Sequence, residues 1–132
     1  MEKLIGITDN EKEQHDSSLI RFNPQGKRFV FTMPENDCEY KRSGVCPIKE
    51  RIDTDCPCNQ ILKSLVDNNF KQCSKLPEVI YDKEKRLYTA NDGQHRICIA
   101  YQLNMDIIVE RVIEAEVYYI EGESLVIPFD IK

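Results

Sequence analysis

The stretch Tyr88-Thr89-Ala90-Asn91-Asp92-Gly93-Gln94-His95-Arg96 decides the reading of this chain. An apolar-polar alternation ends at Asn91-Asp92-Gly93, and a helical pattern begins at Gln94. Gly93 lets the backbone turn sharply, so the free amides of a helix start stand beside the end of a strand. That arrangement attracts anions, because the amides and the helix dipole carry positive charge at that end. The dipole contributes about 0.3–1 kcal/mol, and about 2 kcal/mol when partly buried. A guanidinium such as Arg96 adds a charge-assisted bond worth about 1.5–3 kcal/mol. Together these fall short of the roughly 8 kcal/mol of a micromolar ligand, so a nucleotide would need base and ribose contacts as well. His95 offers one more donor. Asp92 is poorly placed to touch phosphate but well placed to hold magnesium or to take a proton from a hydroxyl nucleophile. The plain alternative is that Asp-Gly is a common turn and Asp a common helix cap.

On the N-terminal side, Leu76 to Tyr81 reads as a strand, Asp82 to Lys85 as a hairpin turn and Arg86 to Ala90 as the returning strand. On the C-terminal side the helix runs to Leu103, with Ile97, Ala100 and Tyr101 on its buried face. Asn104 takes the left-handed position after it. Ile107 to Ile113 and Glu116 to Ile120 read as further strands, and Leu125-Val126-Ile127 as an apolar patch. Asn59 caps a helix through Phe70 whose apolar face is Ile61, Leu62, Leu65 and Val66. Leu19 to Phe22 and Arg28 to Met33 are short strands, separated by the turn cluster Asn23-Pro24-Gln25-Gly26. Residues 1–18 read as a mostly polar N-terminal arm. The expected fold is α+β: one domain over 1–132, a mixed sheet of about six short strands, and two to three helices.

Composition narrows the function classes. The 132 residues are 41% hydrophobic and 31% charged, so a packed core is expected rather than a disordered chain. A net charge of -5 disfavours duplex DNA as a partner, since phosphate tracking needs a basic face. No apolar run approaches the length of a membrane span, and Met1 to Gly6 lacks the long apolar stretch of a secretion signal. A cytosolic protein, away from membranes, is therefore expected.

Six cysteines are the oddity: Cys38, Cys46, Cys56, Cys58, Cys73 and Cys98. In a cytosolic chain they are expected to stay reduced. The spacing Cys38-x7-Cys46-x9-Cys56-x-Cys58 matches no standard zinc ribbon. It falls in residues 35–58, a stretch read as irregular, with at most a short helix over 47–52. A thiolate site for zinc first, or for an iron–sulfur cluster second, would order that insert. Free buried thiols or a reversible redox pair are the alternatives. Cys73 is a substitute candidate for one of the four ligands, and Cys98 reads as core.

The motif Asp92-Gly93-Gln94-His95-Arg96, followed by Ile97-Cys98-Ile99-Ala100, resembles the phosphate-binding motif of the ParB/sulfiredoxin-like superfamily. Members show Gly-Glu-Arg-Arg in chromosome-partitioning ParB, Gly-Cys-His-Arg in sulfiredoxin and Asp-Gly-His-His-Arg in the free-serine kinases. Ile61 to Phe70 resembles the helix before the ParB hairpin, Leu76 to Ile80 its next strand, and Asp106 to Val112 the strand after the motif helix. Ile20 to Gln25 is weakly similar to the first ParB box. The resemblance covers residues 59–113 well and 19–34 weakly.

This resemblance implies a nucleotide-binding core over 59–120. A nucleoside triphosphate with magnesium would sit at Gly93, Gln94, His95 and Arg96, and Asp92 and His95 would be catalytic. The implied activity is phosphoryl transfer to an unknown small-molecule or protein acceptor, or nucleotide hydrolysis. Three departures matter. Gln94 stands where sulfiredoxin keeps its nucleophilic cysteine, so sulfinic-acid repair by that residue is not expected. No helix-turn-helix such as ParB uses on DNA follows the motif. The serine kinases use an upstream glutamate as base, and only Glu35, Asp37 and Glu39 are candidates, by location. The competing readings are a non-catalytic nucleotide-sensing or protein-interaction module, of the kind found in phages and mobile elements, and a metal or thiol redox site in the cysteine-rich insert.

Overall fold

The computed structural model describes residues 3–7, 19–33, 35–72, 75–119 and 124–127. Among these residues nine strands and four α-helices follow in the order β1 (Leu4–Ile7), β2 (Ile20–Phe22), β3 (Phe29–Phe31), α1 (Glu39–Ser43), α2 (Pro47–Glu50), α3 (Pro57–Asp67), β4 (Lys71–Gln72), β5 (Glu78–Asp82), β6 (Leu87–Asp92), α4 (Gln94–Gln102), β7 (Asp106–Val109), β8 (Arg111–Glu114) and β9 (Leu125–Ile127). A 3-10 turn, Glu35–Asp37, precedes α1. The class is α+β, with more helices and strands than the sequence suggests.

The strands form two mixed sheets, ordered β2-β7-β1-β4 and β8-β5-β6-β3-β9. Leu4–Ile7, expected to belong to the N-terminal arm, is instead an interior strand. It runs parallel to both β7 and β4. The expected strand 107–113 is also two strands. Its chain bends at Glu110, whose N–H bonds the carbonyl of Pro77 at 2.8 Å, so β7 and β8 lie in different sheets. Of residues 116–120, read as a strand, 116–119 are not in one, and Ile120 lies outside the described residues. The apolar patch Leu125–Ile127 pairs antiparallel with β3.

Alternation along the strands sorts the core. Phe29, Phe31, Val79, Tyr88 and Ala90 face the main core with Ile5, Leu65, Ile97, Ile99 and Ile107. Val30, Ile80 and Leu87 fall on the opposite face of the same sheet, with Val117. On α3, Cys58, Ile61, Leu62 and Leu65 face inward at helical spacing, while Val66 is exposed. The helix begins at Pro57, whose fixed φ suits its first turn, and Cys56 rather than Asn59 is its N-cap. Asn59 turns back instead, accepting from Thr54 Oγ1 at 2.6 Å and donating to the Ile52 carbonyl at 3.1 Å.

Asp82 ties the β5–β6 turn to the segment beyond β8. It accepts from the backbone of Glu84 and Lys85 at 3.0 and 3.1 Å, and from Val117 N–H at 3.0 Å. These bonds, Val117 first, hold its carboxyl below the usual aspartate range. A depressed carboxyl adds stability that is complete above its unfolded value, about 3.9, and is lost as pH falls through the lower folded value. Asp82→Asn is therefore expected to be clearly less stable than the wild type at pH 7. The gap should narrow as pH falls below about 4. Urea midpoints at both pH values check this, and an unchanged gap would show that charge plays no part.

Candidate functional site

Gly93 links β6 to α4 in a left-handed conformation, φ 76° and ψ 28°. Two constraints act on it. The left-handed region disfavours any Cβ. A Cβ placed there would also lie 2.8 Å from Pro77 Cγ and 3.0 Å from Arg96 Nη2. The Pro77 ring and the Arg96 guanidinium thus both crowd the place a Gly93 side chain would take. The first-turn amides of Gln94, His95 and Arg96 have no acceptor within α4 itself.

The motif side chains diverge. Arg96 donates from Nη2 to the Lys75 carbonyl at 2.6 Å and from Nη1 to Gln72 Oε1. It is clamped to the segment between β4 and β5 beside the helix start. Gln94 accepts from Thr32 N–H at 2.8 Å and donates to Thr32 Oγ1 at 3.0 Å, which fastens α4 to the end of β3. His95 points toward α3, with Nδ1 3.1 Å from Cys58 Sγ. Burial lowers the pKa of this imidazole, against a smaller opposing pull from the Asp37 carboxylate. Asp92 is exposed and pairs with Lys75 Nζ at 3.5 Å. Neighbouring Asn91 donates to buried Glu78 at 3.2 Å, and Glu78 also pairs with Arg111 at 2.5 Å.

At the helix start the structure therefore gathers Gly93, Arg96 and Asp92. The side chains of Gln94 and His95, expected on the phosphates, are engaged elsewhere; what they bring to an anion there is their backbone amides. Lys75, Gln72 and Pro77 are part of the site and were not legible in the sequence. Their only signal was the nearness of 75–77 to the start of β5. Of the upstream acids, Glu39 holds Arg42 at 3.1 Å, and Asp37 stands on the His95 side. Neither is placed against Asp92 by any of these contacts.

The insert 35–58 is more helical than expected. Cys38, Cys46 and Cys56 are the N-caps of α1, α2 and α3. Cys58 lies in the first turn of α3 and Cys98 on α4. All five are free thiols; Cys38, Cys58 and Cys98 belong to the main core, and Cys46 and Cys56 pack against it partly buried. Burial first, and then the neighbouring Cys56, Cys38 and Cys46, push the Cys58 thiol up to about 12. Among the described residues, no group of three or more His, Cys, Asp or Glu is placed to hold a metal ion. Cys73 lies outside the described residues.

No protein-family model matches the chain, and no curated protein or solved structure matches it. Among the described residues, no helix is long and apolar enough to cross a membrane.

Proposed function

We propose that this chain is a cytosolic nucleotide-binding domain of the ParB/sulfiredoxin-like type. It holds the phosphates of a nucleoside triphosphate, with magnesium, at the Gly93 turn and the start of α4. The supporting observation is the left-handed Gly93, with the Arg96 guanidinium fixed 3.0 Å from where its Cβ would stand. A phosphate oxygen reaching the first-turn amides would meet that cation without any rearrangement of Arg96. Lys75 is the second cation. In the free protein it pairs with Asp92, and an exposed pair of this kind is worth only about 0–1 kcal/mol. Lys75 can therefore move to the phosphate and leave Asp92 to magnesium at little cost. Asp92 is then the metal ligand or base for phosphoryl transfer or hydrolysis.

Thermal unfolding with ATP, CTP or GTP plus magnesium tests this, because a ligand of the folded state alone raises Tm. A rise is expected with at least one nucleotide. Lys75→Ala should weaken its binding about tenfold, the loss of one charge-assisted contact. Asp92→Ala should keep binding and abolish magnesium-dependent phosphate release. No rise with any nucleotide would overturn the proposal. Binding without turnover would instead support a nucleotide sensor. That reading is favoured by the turning of the His95 side chain to Cys58, which leaves Asp92 as the lone acid–base group among the motif side chains at the helix start.

A further inference from the structure

β8 lies at one side of the five-stranded sheet, and among the described residues only β5 pairs with it. All four of its residues are exposed, and its two apolar ones, Val112 and Ile113, are 38% and 37% exposed. An edge strand with exposed apolar side chains is a template for another strand. Its register with β5 is unbroken from Arg111 to Glu114, so no bulge turns this edge away. Just beyond it, Ala115 N–H reaches inward to the Tyr81 carbonyl at 3.1 Å. Alternation along the strand therefore turns the N–H and C=O of Val112 and Glu114 outward.

The charge along this edge is lopsided. At one end, Arg111 is already paired with Glu78 and Glu110, at 2.5 and 3.3 Å. At the other end a cavity of about 330 Å³ opens between the β5–β6 turn and the segment after β8. Its lining carries the carboxylates of Asp82, Glu84, Glu114 and Glu116 against the single ammonium of Lys83. Lys85 answers Asp82 and Glu116, at 3.8 Å each. No cation answers Glu84 or Glu114 among the described residues.

We propose that the open edge of β8 takes an extended basic segment of another protein as a further strand of this sheet. Main-chain bonds to Val112 and Glu114 would hold it, apolar side chains would lie beside Val112 and Ile113, and a lysine or arginine would enter the acidic cavity. A second copy of this chain does not fit. Two copies related by a two-fold axis can join this edge only with odd-numbered residues opposite odd, and even opposite even. The available registers set Arg111 on Arg111, Glu114 on Glu114, or Glu110 on Glu114 or Glu116, and like charges directly opposite destabilise a pair. The surface is independent of the nucleotide reading, because Tyr81 and Glu114 stand at the other end of β5 from Glu78 and Asp92.

The test is fluorescence anisotropy of the full chain with a labelled, end-blocked peptide Lys-Thr-Lys-Val-Val-Thr. Laid antiparallel on β8, it sets its lysines opposite Glu116 and Glu114 and its valines opposite Ile113 and Val112. Saturable binding is expected, at least about tenfold tighter than for Glu-Thr-Glu-Val-Val-Thr. Amide exchange over residues 111–116 should slow when the first peptide is added. Glu114→Lys should weaken the lysine peptide at least about tenfold and reverse the preference between the two. Val112→Pro removes one outward amide and leaves the bonds to β5, so it should abolish binding while the circular dichroism stays that of the wild type. No binding at about 1 mM peptide, or equal binding of both peptides, overturns the proposal. Binding that leaves exchange over 111–116 unchanged overturns the location. A dimer seen by sedimentation without peptide, and lost in Glu114→Lys, would make the occupant a second copy and overturn the choice of partner.

Discussion

Phe29→Ala is expected to lower stability by about 3–5 kcal/mol, the usual cost of emptying a fully buried aromatic site. Phe29 has no exposed surface. Its ring stacks on Phe31 at 5.5 Å and on Tyr88 at 5.4 Å, and meets the edge of Phe22 at 5.9 Å. Those three partners come from three strands, so the cavity left by alanine opens onto all of them. The backbone offers little compensation. β3 has only three residues, and its parallel pairing with β6 rests on the single register pair Phe29 and Tyr88. A domain of this size is commonly stable by about 5–15 kcal/mol, so the variant stands near the edge of folding. A fall in Tm of about 12–20 °C should accompany the loss. Thermal unfolding followed by circular dichroism measures it. Tyr118→Ala, at a residue 75% exposed, should change stability by less than about 0.5 kcal/mol and is the reference. A loss below about 1 kcal/mol at Phe29 would mean that the aromatic stack contributes little to joining β3 and β6.

The same stack shows how far local sequence reaches. Phe29-Val30-Phe31 and Leu87 to Asp92 alternate between two faces, and that period is visible in the residues themselves. The left-handed Asn104 after α4 is equally local, at φ 58°. Leu4–Ile7 is different. Its partners lie in Lys71–Gln72 and Asp106–Val109, far along the chain, and a four-residue parallel strand paired on both edges, Leu-Ile-Gly-Ile, has no apolar–polar alternation to betray it. The two helices of the cysteine insert are too short to show a 3.6-residue period, and their caps are cysteines, which carry little capping preference. Pro57 read as a loop residue although it opens α3. At the site, Gly93 was legible because a left-handed turn leaves few residues to choose from. The destinations of Gln94, His95 and Arg96 were not, since Thr32, Cys58 and Gln72 are brought to them only by the folded sheets and helices.

Gly93→Ala is expected to cost about 2–4 kcal/mol and to weaken nucleotide binding with it, because two penalties meet at one carbon. The first is conformational: an L residue held at φ 76° costs about 1–2 kcal/mol. The second is steric. The new methyl would stand 2.8 Å from Pro77 Cγ and 3.0 Å from Pro77 Cβ, atoms of a rigid ring that cannot swing aside. The softer neighbour is Arg96, 3.0 Å away. If Arg96 gives way it leaves the Lys75 carbonyl, and it deprives Gln72 of the donor on Oε1. Gln72 is 1% exposed, and a buried acceptor left without a partner costs about 1–3 kcal/mol. Either outcome removes the cation from the position where phosphate would meet it. Gly26 and Gly44 supply the controls, at φ 73° and 82°, where an added methyl would meet nothing within 4 Å. Gly26→Ala and Gly44→Ala should therefore show the conformational penalty alone. The excess of Gly93→Ala over these two, read from urea midpoints, measures how rigidly Pro77 and Arg96 crowd that position. Equal losses at all three glycines would mean that both yield freely, and the case for a preformed anion site at Gly93 would fail with it.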